Sequence, residues 1–131
     1  LDIDAGLSAD GSTLASGGKN DILGKDGISV DNADVDNTAG DDELDVDSES
    51  ALTADGSTLT SAGKVDILSK GDMSVQNATV DNTEGDKKSI FVESKSDLNA
   101  DNATFTASGQ VKLKSTGEKS DENTEINENE G

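Results

Sequence analysis

The sequence predicts an all-β fold: a parallel β-helix (solenoid) of about six rungs, each 21–25 residues long and built from three short strands. Three observations support this prediction. A long segment repeats at an offset of 45 residues, aliphatic residues alternate with polar ones within each repeat, and Gly or Asn recurs at one fixed position in every unit.

The repeat defines the rungs. Residues 9–41 align without a gap with residues 54–86, and 23 of the 33 aligned pairs are identical. A third, diverged copy starts near Ser89, and each copy divides again into two similar halves. A repeat of this length is typical of solenoids, in which each unit buries its apolar face against the next one. The six units cover residues 1–18, 19–42, 43–63, 64–88, 89–109 and 110–131.

The strands are predicted from apolar columns that appear when the six units are aligned. Segments such as Leu44–Asp47 alternate apolar and polar residues, the pattern of a strand with one buried face. Parallel stacking at about 4.8 Å per rung would place equivalent aliphatic residues over one another. The three columns are Ile3, Ile22, Val46, Ile67, Val92 and Leu113; Leu7, Ile28, Leu52, Met73 and Leu98, interrupted at Lys119; and Leu14, Val35, Leu59, Val80, Phe105 and Ile126.

The corners are predicted from two columns of turn-forming residues. Gly and Asn adopt a left-handed backbone at little cost, so a column of these two residues predicts a turn with positive φ. The low aliphatic content is also compatible with disorder, but a disordered acidic segment has no reason to keep such columns in register. The first column is Gly11, Asn32, Gly56, Asn77, Asn102 and Asn123, and the second is Gly18, Gly40, Gly63, Gly85, Gly109 and Gly131.

The composition excludes several classes of function. The 131 residues include 29 acidic and 10 basic residues, which gives a net charge of −19 and no cationic track for nucleic-acid phosphates. The chain has no His, Cys, Tyr or Trp, so the usual nucleophile–base pairs and thiolate metal sites are missing, and we expect no enzyme activity. No apolar stretch approaches the roughly 20 residues that a membrane-spanning helix requires, so we expect no membrane insertion.

An acidic column next to the first turn is the one candidate metal site. Asp10, Asp31, Asp55 and Asp101 recur at this position and are weak candidates for calcium, because stacked carboxylates repel and a hard cation with oxygen ligands would relieve the repulsion. No EF-hand loop fits the sequence. We favour the interpretation that these acids are solvated and keep the coil soluble, so that no cofactor is bound and calcium is the alternative.

The repeats also resemble a known family. The segment SALTADGSTLTSAGKVDILSKGDMSVQNATVDN (residues 50–82) is similar to the repeats of filamentous-haemagglutinin-type exoproteins, the secreted adhesins and toxin-carrying filaments that Gram-negative bacteria export by two-partner secretion. The resemblance covers residues 1–117 and implies a right-handed coil taken from a longer shaft. Residues 118–131 form an acidic segment that is either a degraded last rung or a frayed tail.

The function implied by this resemblance is structural. The chain would be a shaft segment of a secreted or surface-exposed bacterial adhesin that contributes to virulence by projecting a distal binding or toxic region. Other parts of the parent chain would contact a receptor on a host or neighbouring cell, and adjacent rungs of that chain would stack end to end. Two alternatives remain: an acidic calcium-binding β-solenoid module, and a non-catalytic excerpt of a polysaccharide-active β-helix enzyme.

Overall fold

The chain winds as a three-sided parallel β-solenoid. The computed structural model describes residues 2–3, 6–15, 19–38, 43–82 and 88–128, and these residues form strands, turns and bends but no helix. Along the chain, strands join the first, second and third sheet in turn, and each sheet contains six strands that are all parallel to their neighbours. The predicted parallel β-helix is therefore confirmed.

The three sheets differ in the length of their strands. The first sheet contains β1 (Asp2–Ile3), β4 (Asn20–Gly24), β7 (Leu44–Ser48), β10 (Val65–Ser69), β13 (Ile90–Ser94) and β16 (Val111–Ser115). The second contains β2 (Leu7–Ser8), β5 (Ile28–Ser29), β8 (Leu52–Thr53), β11 (Met73–Ser74), β14 (Leu98–Asn99) and β17 (Lys119–Ser120). The third contains β3 (Thr13–Ala15), β6 (Asp34–Asn37), β9 (Thr58–Ser61), β12 (Thr79–Asp81), β15 (Thr104–Ala107) and β18 (Glu125–Glu128).

The register agrees with the predicted columns except at one residue. The second and third apolar columns pair directly through all six strands of their sheets, including Lys119 opposite Leu98. The first column pairs as predicted from Ile22 onward. The placement of Ile3 opposite Ile22 was wrong, because Ile3 pairs with Gly24. Every described strand residue of the first rung pairs with the residue 21 positions later in the second rung. Ile3 was matched to Ile22 because both are isoleucine, which misplaced this two-residue strand by two positions.

The core is a narrow stack of aliphatic side chains enclosed by the three sheets. Every second residue of a strand points inward, so β7 and β10 each bury their first, third and fifth residues. Phe105 is fully buried in the third column, whereas the other aromatic residue, Phe91, lies half-buried on the outer face of the first sheet. One buried aromatic ring is enough to help fill this interior, because each of the three sheets contributes only a single layer of side chains to it.

The first predicted corner is confirmed by the backbone. All six residues of its column have positive φ, between 56° and 69°, and the four asparagines are the non-glycine residues with positive φ among those described. In the second glycine column, Gly63 and Gly109 lie in buried bends after the third strand of their rungs. The other four members, Gly18, Gly40, Gly85 and Gly131, lie outside the described residues.

Substitution of Asn77 tests this corner. Asn77→Ala should lower the free energy of unfolding by about 1–2 kcal/mol, because a Cβ-bearing residue without a side-chain amide is unfavourable at positive φ. Asn77→Gly should leave the stability within about 0.5 kcal/mol of the wild type. Urea denaturation followed by circular dichroism measures both values. Equal destabilisation by Ala and Gly would show that the side chain, not the backbone conformation, is what matters at this position.

The second predicted corner, after the third strand of each rung, absorbs differences in rung length. Thr60 and Val65, which flank a short connection from a third strand to the next first strand, are five residues apart, whereas the equivalent Asp81 and Ile90 are nine apart. The extra residues therefore fall between the third strand and the following first strand. Insertions at one corner leave the three sheets in register, as is usual in repeat proteins.

Candidate functional site

The predicted calcium column lies along one edge of the coil, beside the positive-φ turns. Asp10 shows what these carboxylates do: its Oδ1 accepts a hydrogen bond from the Ser29 hydroxyl at 2.6 Å and another from the Asp31 main-chain N–H at 2.9 Å. Both donors belong to the next rung. The bond from Ser29 is the main reason why the pKa of Asp10 lies below its usual range, and the bond from the Asp31 amide adds to it.

The other three predicted aspartates repeat the bond to the main-chain amide of the next rung, and two of them also accept from a serine hydroxyl. Asp31 Oδ1 accepts from the Asp55 N–H at 2.8 Å, and Asp55 Oδ1 accepts from the Gln76 N–H at 2.9 Å and from the Ser74 hydroxyl. Asp101 Oδ1 accepts from the Ser120 hydroxyl and from the Glu122 N–H, at 2.6 and 2.9 Å. The column is therefore a ladder in which each carboxylate satisfies an amide of the rung above it.

The ladder changes where Gln76 replaces aspartate. The Asp101 N–H of the following rung then bonds to Asn99 Oδ1 at 3.1 Å, two residues before it in the chain. A different side chain thus satisfies the same main-chain donor. This substitution supports a structural role for the column, because the amide needs an acceptor whichever residue supplies it.

The ladder does not gather the four aspartates into one coordination sphere. Across the parts of the chain that the structure describes, no group of three or more His, Cys, Asp or Glu residues is placed so that it could hold a metal ion. Calcium takes six to eight oxygen ligands, whereas each of these carboxylates already accepts hydrogen bonds from the neighbouring rung.

Calcium titration tests this interpretation directly. Up to millimolar CaCl₂, we expect the thermal midpoint to follow that of a control at the same ionic strength, because among the described residues no three carboxylates are placed so that they could hold one ion. The chain has no Trp or Tyr for intrinsic fluorescence, so the thermal midpoint should be followed by circular dichroism. A saturable rise of the midpoint that Asp55→Asn removes would contradict this prediction and favour the calcium module.

Sequence reasoning missed a second acidic column, on the outer face of the first sheet. Asp21, Asp45 and Asp66 occupy directly paired positions on three successive strands, which brings their side chains about 5 Å apart. Burial raises the pKa of Asp45, and the charges of Asp21 and Asp66 raise it further. Burial also raises the pKa of Asp47. The signal was present in the sequence, as an aspartate at the second position of three successive first strands.

Towards the C-terminal end, the same face becomes mixed and then basic. The column of Asp21 continues through Phe91 to Lys112, whose Nζ lies 5.9 Å from the centre of the Phe91 ring. In the next column, Glu93 lies 3.4 Å from Lys114 and 3.3 Å from Lys95. Burial acts to raise the pKa of Glu93, but hydrogen bonds and charge from these two lysines outweigh burial and lower it.

The stacked aspartates predict a stabilising substitution with a defined pH dependence. A raised pKa in the folded state means that the charged form of Asp45 destabilises the coil, so this cost is present at neutral pH and disappears as pH falls towards the unfolded-state pKa. Asp45→Asn should therefore raise the free energy of unfolding at pH 7 by about 0.5 kcal/mol, with the gain shrinking below pH 4. Urea denaturation of the wild type and the variant, at pH 7 and again below pH 4, measures this difference in the free energy of unfolding.

Asp34→Asn is the matched control for this prediction. This substitution makes the same chemical change on the third sheet. The residues paired with Asp34 on the neighbouring strands are Thr13 and Thr58 and not carboxylates. We expect its effect at pH 7 to be smaller than that of Asp45→Asn. An equal or larger gain at Asp34 would attribute the effect to the overall negative charge and not to stacking.

Two shallow grooves of about 410 Å³ each run along the outer faces. One follows the second sheet and is lined by Asp72, Ser74, Asp97 and Asn99, among others. The other follows the first sheet past Asp66, Leu68, Phe91 and Lys112. Both are open surfaces whose lining mixes carboxylates, lysines and short polar groups with apolar side chains. The expectation that the chain is not an enzyme continues to rest on its composition.

Comparisons with known proteins do not assign this chain to a family. The described residues contain no helix long and apolar enough to cross a membrane. No protein-family model, no curated protein and no solved structure matches the chain. What the sequence and the structure together establish is a parallel β-solenoid with acidic columns on its surface.

Proposed function

We propose that this solenoid is a shaft segment of a secreted or surface-exposed bacterial adhesin, in which it projects a distal binding or toxic region away from the cell. The observation that carries the proposal is the unbroken register of all three sheets. The six strands of each sheet pair in parallel with the equivalent strands of the neighbouring rungs, without a crossing or a change of sheet. Such a coil is a rod whose length is set by the number of its rungs.

The contacts between rungs support a mechanical role. Besides the sheet hydrogen bonds, the turns are joined by main-chain bonds such as Gly56 N–H to the Gln76 carbonyl at 2.8 Å and Asn77 N–H to the Asp101 carbonyl at 3.0 Å. The aspartate ladder adds side-chain bonds between the same rungs. Any stretching or bending force must therefore break several parallel contacts at once.

The charge of the surface fits exposure along a filament. The outward positions carry most of the acidic residues, and the net charge of −19 opposes lateral association of neighbouring rods. The rod described here spans about 24 Å from the first to the sixth strand of a sheet, at about 4.8 Å per step. Receptor binding would belong to other parts of a longer parent chain, whose adjacent rungs would stack on the first rung of this segment.

Single-molecule force spectroscopy tests the proposal. The chain, held between two inert handle domains, should unfold in discrete steps that each release about one rung, or roughly 7–9 nm for 21–25 residues. The labelled chain alone should not bind to cultured host cells or to bacterial surfaces above the level of an acidic control protein. Gradual extension without force peaks would contradict the shaft.

Saturable binding of the isolated chain to cells or to a polysaccharide would also contradict the proposal. It would show that this segment itself recognises a partner, which favours a binding module or a remnant of a polysaccharide-active enzyme. Circular dichroism before each measurement separates these outcomes from failure to fold, because a folded coil gives a β spectrum at neutral pH without added calcium.

A further inference from the structure

We infer that the last described rung, residues 111–128, is a cap that closes the C-terminal end of the coil against pairing with another strand. The inference rests on the fold and not on the proposed shaft function. The edge strands of a solenoid expose unpaired amides and carbonyls, and natural proteins protect such edges with charged residues, including charges that point inward. The side chains of this rung carry three features of that kind.

The first feature is a change of residue type at inward positions. In the described residues of the five preceding rungs, every inward position is apolar, small or an uncharged amide or hydroxyl. In the last rung, three inward positions become charged together. Lys119 follows Leu98, Asp121 stands in the column of Ala100, and Glu128 follows Ala107.

The second feature is a pair of side chains that meet over the end of the core. Lys119 Nζ lies 3.5 Å from Asp121 Oδ2. These residues replace the fully buried Leu98 and Ala100 of the preceding rung. An ion pair at this place is tolerated because both side chains remain exposed to water. A seventh rung would bury both charges, at an effective cost of several kcal/mol per ion.

The third feature is a hydrogen bond between the first strand of this rung and a side chain of the same rung. In three earlier rungs, the first-strand amide donates to a carbonyl of the next rung: Leu44 to Lys64, Val65 to Ser89 and Ile90 to Gln110, at 2.8–3.0 Å. The equivalent amide of the last rung belongs to Val111. It donates to the Glu128 carboxylate oxygen Oε1 at 2.9 Å. A side chain of the same rung therefore occupies the place of the next strand.

The cap also accounts for apolar residues left at this end. Leu113 is half-buried, and Ile126 is the exposed large aliphatic residue of the described chain, at 47% exposure. Without the three charges, this end of the coil would expose apolar side chains and free strand edges in the same arrangement as an internal rung. The first rung of a second copy, with Leu7 and Leu14 at the matching inward positions, would then fit on it. Such head-to-tail contacts do not close and form filaments.

Removal of the cap tests the inference. We expect Lys119→Leu/Asp121→Ala/Glu128→Ala to form head-to-tail assemblies as the protein concentration rises, whereas the wild type stays monomeric in sedimentation velocity. The matched control, Lys112→Leu/Glu118→Ala/Glu125→Ala, likewise removes one lysine and two carboxylates, at outward positions of the same rung, and should stay monomeric. A folded but monomeric triple variant, assembly of the control to the same extent, or assembly of the wild type would each overturn the inference.

A second measurement does not depend on the triple variant folding. Hydrogen exchange should show the Val111 amide protected in the wild type, and Glu128→Ala should speed its exchange about tenfold, as expected for loss of a charged hydrogen bond. Glu125→Ala, on the outer face of the same strand, should leave it unchanged. Unchanged exchange in Glu128→Ala would show that this carboxylate does not protect the edge.

Discussion

Phe105→Ala is expected to lower the free energy of unfolding by about 3–5 kcal/mol, the usual cost of deleting a large core side chain. Phe105 is fully buried and is stacked between Val80 and Ile126 in the third column. The sheets around it are tied to both neighbouring rungs, so they cannot collapse into the cavity without breaking register. Because small domains have only about 5–15 kcal/mol of stability, the loss should be visible as a large fall of the urea midpoint.

The second aromatic residue supplies the control, because it lies on the same rung but on the outer face of the first sheet, outside the core. Phe91 points outward, is half-buried, and its ring lies under Lys112. Phe91→Ala should cost about 1 kcal/mol or less, since only a partly exposed contact is lost. Equal costs at Phe91 and Phe105 would contradict the alternation of inner and outer positions on which the fold is built.

The columns could be predicted from the sequence because a solenoid uses the same residue type at the same place in every rung. Val35, Leu59 and Val80 needed no structure to be recognised as neighbours. Ile3 was misplaced because β1 has only two residues, and a strand of this length carries too little pattern to fix its register. The constant spacing of 21 residues in the first rung was the better guide.

The role of the acidic residues could not be predicted in the same way. The position of Asp55 in a column was visible, but its partners are a main-chain amide and a serine of the next rung, and neither leaves a signature in the acidic column itself. The stacking of Asp45 between Asp21 and Asp66 follows from the alternation of the strands, but the raised pKa of Asp45 depends first on how far its carboxyl is buried, which the sequence does not show. Lys119 was recognised as an exception, yet its meaning depends on Glu128, seventeen residues from the amide it bonds.

Buried polar side chains are a second source of stability that the aliphatic columns do not reveal. Asn82 follows β12 and is fully buried. Its Nδ2 donates to the Ser89 carbonyl at 3.0 Å and to the Gly63 carbonyl at 3.3 Å, and its Oδ1 accepts from the Ser108 N–H at 3.3 Å. One amide side chain thus joins the rung before it, its own rung and the rung after it at the corner of the coil.

Asn82→Ala should therefore lower the free energy of unfolding by about 2–4 kcal/mol, because it leaves the Gly63 carbonyl and the Ser108 N–H without this partner, at about 1–3 kcal/mol for each group that water cannot reach. Urea denaturation gives the value, and hydrogen exchange at the Ser108 amide should accelerate in the same variant. Asn99→Ala is the control, since Asn99 is half-buried and accepts a single bond from Asp101. Its cost should stay below about 1 kcal/mol. If Asn82→Ala is as mild as Asn99→Ala, the corner is held by main-chain bonds alone, and rung-to-rung cohesion does not depend on this side chain.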